Sequence, residues 1–367
     1  KLIQFCSGLW MLYDQQKNLC PSFSNDSSSA APNASTWLSL TQTWTDSLLS
    51  NENLTTTHDI GFLSEPFQSA LTLRSNASFY TPILSQMASN LAARYVPEPG
   101  VIRCWNDPGS HNDSVLVIID SVMNLPLLVR SAQNYTGNNT LIDPIVMTHI
   151  DRLQRNNMRK DGSTFHVCDY SATSGDLYLC RTQQGLSDIS TWARGQAWAI
   201  HGFTELYDLL GNQTYLDTAR RAADWFIDHL PRTTEDGTLE VPYWDFDAPY
   251  EPATTPRDVS AGMIAASGLL SLAQHNPISQ DTSPPTLNKY SIAAIQLLNS
   301  AASLALATPI SFSEASTPAQ GVQTNLTTSP TNTDTRQFES VFMHSTVNGH
   351  PGTVPGSGGN YDTGLIY

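Results

Sequence analysis

Basic side chains are scarce in this chain: 18 Lys and Arg stand against 33 Asp and Glu in 367 residues, a formal charge of −15. Nucleic acids and anionic membrane surfaces are gripped by cationic patches, so neither is expected as a partner. Long apolar runs are also missing. No stretch approaches the roughly 18–20 apolar residues that a membrane span needs. CxxC and HExxH spacings are absent, so no metal site is expected. An initiator methionine is lacking too, since the chain opens at Lys1, and an N-terminal segment is expected to have been removed or lost.

What is present is an ordinary apolar fraction of 40%, enough for a sizeable core. Nine N-x-S/T sequons occur, at Asn25, Asn33, Asn53, Asn76, Asn112, Asn134, Asn138, Asn212 and Asn325. With few lysines and an acidic balance they favour a glycosylated, secreted eukaryotic protein.

Helical periodicity dominates. Thr191–Leu210 repeats apolar residues every three or four positions and stops at Gly211; Thr214–Leu230 follows and is closed by Pro231. The same pairing recurs in Leu116–Tyr135 with Leu141–Met158, in the stretch after Pro66 with Ser78–Tyr95, and in Asp258–Gln274 with Leu287–Leu304. Asp258 stands where an N-cap carboxylate belongs. Successive helical hairpins with short turns predict an all-α toroid, with inner helices lining a core and outer helices wrapping it. No break divides two cores, so residues 1–367 read as one domain. Residues 20–35 and 307–335, rich in Ser, Pro and Asn, read as flexible surface insertions.

Two acids sit in apolar surroundings. Asp120 ends the run Val115–Asp120, and Asp59 lies in His58–Phe62. Both fit a helix cap, and both fit a poorly solvated acid suited to proton transfer. Arg194 and Trp198 fall on one helical face, with Trp192 nearby. They read either as a carboxylate clamp with sugar-stacking walls or as an aromatic core stripe with Arg194 paired to a core acid. Asp245 and Asp247 read as turn formers. Cys168 and Cys180 flank a predicted hairpin of Phe165–Tyr170 and Asp176–Arg181 and are equidistant from Ser174. That spacing is compatible with a disulfide, and equally with two free thiols set apart by a bulge.

The stretches HDIGFL (58–63), VIIDSVMNLPLL (117–128), STFHVCDY (163–170), TQQGLSDISTWARGQAWAIHGF (182–203), VPYWDFDAP (241–249) and PRDVSAGMIAASGLL (256–270) resemble the unsaturated glucuronyl hydrolases, glycoside hydrolase family eighty-eight. The resemblance covers most of 1–275 and returns weakly at 342–367. It implies a six-hairpin (α/α)6 barrel and hydration of a 4,5-unsaturated uronate at the end of an acidic oligosaccharide, with no metal or organic cofactor. It assigns Asp120 as acid/base and Asp59, 61 positions earlier (120 − 59), as second acid. It makes His166, Gln184, Arg194 and Trp198 substrate contacts, and Trp105 and Trp192 aromatic walls. The unsaturated rhamnogalacturonyl hydrolases are a second resemblance, and a non-catalytic carbohydrate binder is a third reading. The chain departs from the pattern where Phe5-Cys6-Ser7-Gly8 runs straight into Leu9-Trp10. It departs again at Tyr367, where a last barrel helix is due, so a ring lacking that helix is expected.

Overall fold

Ten α-helices carry most of the described chain, and they come in consecutive antiparallel pairs. The computed structural model describes residues 2–19, 34–74, 76–107, 109–137, 139–251, 255–276 and 287–305. The first two pairs are α1 (Leu2–Asp14) with α2 (Ala34–Ser47) and α3 (Ile60–Arg74) with α4 (Ala77–Ala92). In the third, α5 (Leu125–Arg130) packs on the wide turn Ile142–Val146 that leads into α6 (Met147–Arg152). The last two are α7 (Ala193–Leu210) with α8 (Gln213–His229) and α9 (Val259–Gln274) with α10 (Lys289–Ala305). The first members of the pairs touch in sequence, α1 to α3, α3 to α5, α5 to α7 and α7 to α9. This is the α/α-barrel arrangement, with five hairpins among the described residues. The expected loss of the last helix concerns residues beyond 305, outside the described residues. So do the proposed insertion at 307–335 and nearly all of 20–35.

Local chemistry explains where the helices start and stop. α7 ends at Gly211, which takes a left-handed conformation and donates its amide to Tyr207 O. Asn212 Oδ1 then accepts from Thr214 N and starts α8. Asp258 Oδ1 accepts from Ala261 N and starts α9, as its position in the sequence suggests.

Two sequence expectations fail. Leu116–Tyr135 is not one helix: β3 (Ser114–Ile118) comes first, then a tight helical turn (Ile119–Asn124), and only then α5. A short continuous apolar run fits a buried strand as well as a buried helix. α3 begins at Ile60, not after Pro66, which lies inside it.

The fold is also not purely helical. β1 (Tyr95–Val96) pairs with β2 (Val101–Ile102), and β3, β4 (Val167–Ser171) and β5 (Leu177–Arg181) form an antiparallel sheet with β4 in the centre. The β4–β5 hairpin is the one expected from the sequence. Cys168 stands directly opposite Cys180, their Cα atoms are 4.1 Å apart, and the two form a disulfide. The alternative of two thiols set apart by a bulge falls away at this pair, because the bulge lies beyond it, between Asp169 and Tyr170.

Candidate active site

Strand β3 delivers its chain into the turn that carries Asp120, and polar contacts fix that turn from several sides. Ile119 N donates to His166 O at 2.9 Å. Ser121 Oγ donates to Ile118 O at 2.7 Å, so it accepts from His149 Nε2 at 2.8 Å, while His149 Nδ1 accepts from Ile102 N. From behind, α7 approaches closely: a Cβ on Gly202 would lie 2.4 Å from Val122 Cγ1.

The Asp120 side chain is 12% exposed. It caps nothing, since the turn is entered through Ile118 without a side-chain cap and α5 through Asn124, so the cap reading of Asp120 is corrected. Its Oδ2 is buried without a hydrogen-bond partner among the described residues. Burial pushes its carboxyl up to about 7, helped by the negative charge of Asp59 and opposed by Arg194. The acid is therefore about half protonated at neutral pH and largely so just below it.

Facing Asp120 Oδ2 at 3.9 Å is His166 Nε2, which is also buried and unpartnered. The other ring nitrogen, Nδ1, accepts from Gln183 N at 3.2 Å and Gln184 N at 3.3 Å. An imidazole nitrogen that accepts carries no proton, so this network assigns the proton to Nε2. Burial, then the charges of Arg194 and Arg181, lower the His166 pKa to about 3. His166 is a neutral donor aimed at Asp120. Trp192 lies 4.4 Å from its ring, tilted, and Trp105 meets it edge-on at 6.4 Å.

Asp59 has a parallel companion. His58 is fully buried, and its Nε2 lies 3.2 Å from Asp59 Oδ1. Asn124 joins the two acids' supports. Its Oδ1 accepts from Phe62 N at 3.1 Å, which leaves Nδ2 to donate to His58 Nδ1 at 3.3 Å. His58 is thereby also set with its Nε2 proton toward a carboxylate. Asp59 does stand at the start of α3, its carbonyl accepting from Leu63 N, but the Phe62 amide goes to Asn124. The Asp59 side chain is half exposed.

The remaining candidates divide. Gln184 contributes its backbone amide to His166. Trp192 is buried and Trp105 partly so, and both flank the His166 ring. Trp198 is buried against Phe62, ring centroids 5.0 Å apart, in the contact between α7 and α3. Arg194 lies over Trp192 at 4.4 Å, yet its Nη1 donates to buried Asp258 Oδ2 at 2.7 Å, so the pairing with a core acid is realised. Asp245 accepts from Leu186 N, Ser190 Oγ and Asp247 N, and Asp247 from Thr191 N, as turn formers do. Sequence reasoning passed over His58, Ser121, Asn124, His149 and Gln183. The available signal was a polar residue inside an apolar run, as Asn124 is in VMNLPLL.

No protein-family profile matches the chain. Individual relatives do. An unsaturated glucuronyl hydrolase from Formosa agariphila is 36% identical over 237 residues, 63% of this chain and 56% of that protein. An unsaturated chondroitin disaccharide hydrolase from Streptococcus pneumoniae is 30% identical over 220 residues, 60% and 53% of the two chains. The chain spans about half the length of the curated relatives it matches. Among solved structures, an unsaturated glucuronyl hydrolase specific for heparin superposes with a TM-score of 0.69 at 28% identity, over 84% of this chain and 74% of that one. One solved with dGlcA-Glc-Rha-Glc gives 0.66 at 29% identity, over 83% and 74%. The chain is thus a homologue of the unsaturated glucuronyl hydrolases and has their barrel fold.

Proposed function

We propose that this protein removes a terminal 4,5-unsaturated uronic acid from an acidic oligosaccharide by hydrating its vinyl ether. The observation that carries the reading is the Asp120–His166 pair: an acid raised to about 7 faces a neutral donor at 3.9 Å, and neither facing atom has a protein partner among the described residues. The relatives' activities on unsaturated glucuronyl and chondroitin substrates support it.

The chemistry follows from the substrate. A 4,5-unsaturated uronate is a cyclic enol ether. Asp120 gives its proton to C4, and positive charge spreads over C5 and the ring oxygen. Water then adds to C5 and returns a proton to the Asp120 carboxylate, so one carboxyl serves as acid and then as base. The C5 hemiketal opens to a ketone, leaving a hemiacetal at C1 that releases the neighbouring sugar as an alcohol. The two-carboxylate rules of ordinary glycoside hydrolysis do not apply, because water does not attack the anomeric carbon. His166 donates through Nε2–H to an oxygen held beside Asp120. Asp59 orients sugar hydroxyls and, by its charge, helps keep Asp120 protonated. Trp105 and Trp192 supply stacking and wall surface, Trp198 backs that wall from its packing on Phe62, and Gln184 borders the same site.

We further infer secretion. The disulfide forms readily outside the cytosol, and the sequons at Asn53, Asn76, Asn112 and Asn134 lie on exposed positions. An enzyme that strips N-glycans should lower the mass of the native protein.

The deciding experiment follows the C4=C5 chromophore of unsaturated disaccharides. Its absorbance should fall in the presence of the protein, on glucuronyl rather than rhamnogalacturonyl substrates. Binding without loss of absorbance would mark a carbohydrate binder instead.

A further inference from the structure

The hairpin beside the site holds one cation that the chemistry above does not use. Arg181 closes β5 and stands opposite Val167. Opposed residues of an antiparallel pair project to the same face. That face carries Cys104, Leu116, Ile118 and Val167, with Trp105 packed against them. Arg181 is therefore on the Trp105 side of the sheet, and its strand partner Val167 is the residue after His166.

A single residue ties it to the site. Arg181 Nη1 donates to Gln183 Oε1 at 3.0 Å and to Thr182 O at 3.1 Å. The backbone amide of that same Gln183 donates to His166 Nδ1 at 3.2 Å. The charge of Arg181 reaches the ring and contributes, after burial and Arg194, to keeping it neutral.

The other arginines near the site are otherwise engaged. Arg194 is paired with Asp258 at 2.7 Å. Arg94 donates to the carbonyls of Thr55, Arg103 and Cys104 and to Asn106 Oδ1. Arg159 donates to the carbonyls of Ile189 and Ser190 and to the Ser163 and Thr191 hydroxyls. Arg94, Arg159 and Arg181 all lack an ion pair among the described residues, but Arg181 alone of the three donates to Gln183, which contacts His166, and the hydrogen bonds named for it come from one nitrogen of its fork. In a chain of net charge −15, an anionic saccharide is repelled at long range and needs a local cation at its docking place.

We infer that Arg181, on the same face as Trp105, is the anion-reading residue of this site and takes an oxyanion of the bound saccharide, a carboxylate or a sulfate. The inference rests on the proposed function and adds to it the source of affinity for acidic sugars. The guanidinium fork suits planar carboxylate and sulfate oxygens. Gln183 joins the fork to His166, so an anion held there is bound beside the site.

The test uses the full chain with Arg181→Gln and Arg181→Lys, and three unsaturated disaccharides: sulfated on the second sugar, unsulfated, and unsulfated with the uronate as its methyl ester. Arg181→Gln should raise KM about tenfold for substrates bearing the recognised oxyanion, with kcat unchanged, as loss of uniform binding requires. Arg181→Lys should restore part of the loss. If the difference between wild type and Arg181→Gln vanishes on removing sulfate, sulfate is read; if it vanishes only on esterification, the uronate carboxylate is read. A KM equal to wild type on every substrate overturns the inference, as does a rise that persists on the unsulfated ester. Should Arg181→Gln fail to fold, Arg181→Lys takes its place: it should raise KM by a smaller factor on the same substrates, and a KM equal to wild type on every substrate overturns the inference. If the wild type turns over no substrate, the proposed activity fails, and calorimetric Kd values for the same sugars decide Arg181 separately, with unweakened binding to Arg181→Gln or no binding to the wild type counting against it.

Discussion

Gly61 and Asn124 are pressed together: a Cβ on Gly61 would lie 2.3 Å from Asn124 Cα and 2.4 Å from its Oδ1. This contact brings the helix after Asp59 against the turn after Asp120, and Asn124 then bonds both Phe62 N and His58. Gly61 lies in a helix, where alanine has the better intrinsic propensity by roughly 1 kcal/mol. Overpacking against immovable backbone costs about 1–3 kcal/mol or more, so the clash wins. Gly61→Ala should lower the Tm and also cut turnover, because the two acids lose their common register. A variant as stable and active as wild type would mean that the two segments can part without consequence.

Asp120→Asn should reduce turnover by roughly 10²–10⁴, the usual contribution of one general acid/base. It should also change the pH dependence of stability, in a direction that can be worked out. The Asp120 carboxyl lies at about 7 when folded and near 3.9 when unfolded. Between those values the folded state keeps a proton that the unfolded state has lost. Wild-type stability therefore falls as pH rises through this window, while asparagine has nothing to titrate. Relative to wild type, Asp120→Asn should gain stability from pH 4 to 7 and hold that gain above it. Denaturant titrations at pH 4 and pH 8 that show the same difference between the two proteins would contradict a raised Asp120.

The rate itself should fall as pH rises through about 7, where Asp120 loses its proton. Asp59 adds to that elevation by its charge, but its side chain is half exposed and water screens it. Asp59→Asn should move the alkaline limb of the pH–rate profile to lower pH by a fraction of a unit, and less in high salt. A limb that stays in place at low salt would leave Asp59 only its contacts with sugar.

Arg194→Lys should act first on stability. The guanidinium bridges the start of α7 to Asp258, the cap of α9, with both side chains almost fully buried. Removing one partner of a buried pair costs about 3–5 kcal/mol, and lysine keeps the charge but not the fork. A drop in Tm is expected, smaller when Asp258→Asn is already present, since the two report one interaction. An unchanged Tm with a raised KM would give Arg194 back to the substrate.

How much of this was legible in the sequence depended on range. The pairs α7 with α8 and α9 with α10 follow from apolar spacing, Gly211 and the Asp258 cap, all local signals. The Cys168–Cys180 register follows from hairpin symmetry. β3 was misread because an apolar run of five residues has no period to tell strand from helix. The start of α3 was missed because Pro66 reads as a break. The support that Asn124 gives was not legible: it reaches His58 across 66 positions and Phe62 across 62. Nothing local marks such a contact. The same holds for Arg194, whose choice between substrate and Asp258 is set 64 residues away.

The disulfide has a consequence beyond stability. It joins Cys168 to Cys180, and close to each cysteine in the chain lies one half of the His166 device: the ring two residues before Cys168, and the amides of Gln183 and Gln184 three and four after Cys180. The bridge thus holds together the two chains that fix which ring nitrogen carries the proton. Closing so short a loop contributes on the order of 3 kcal/mol in the chain-entropy account. Cys168→Ser with Cys180→Ser should therefore lower stability by roughly that amount, and should lower kcat more than it raises KM, because a turned imidazole misplaces a donor needed at the reacting atoms. Nitrogen-15 spectra of the histidines give a direct check: the wild type should show His166 with its proton on Nε2 across pH 5–8, and the double variant a mixture of tautomers. A variant that is less stable but keeps wild-type kcat and a single His166 tautomer would reduce the disulfide to a staple.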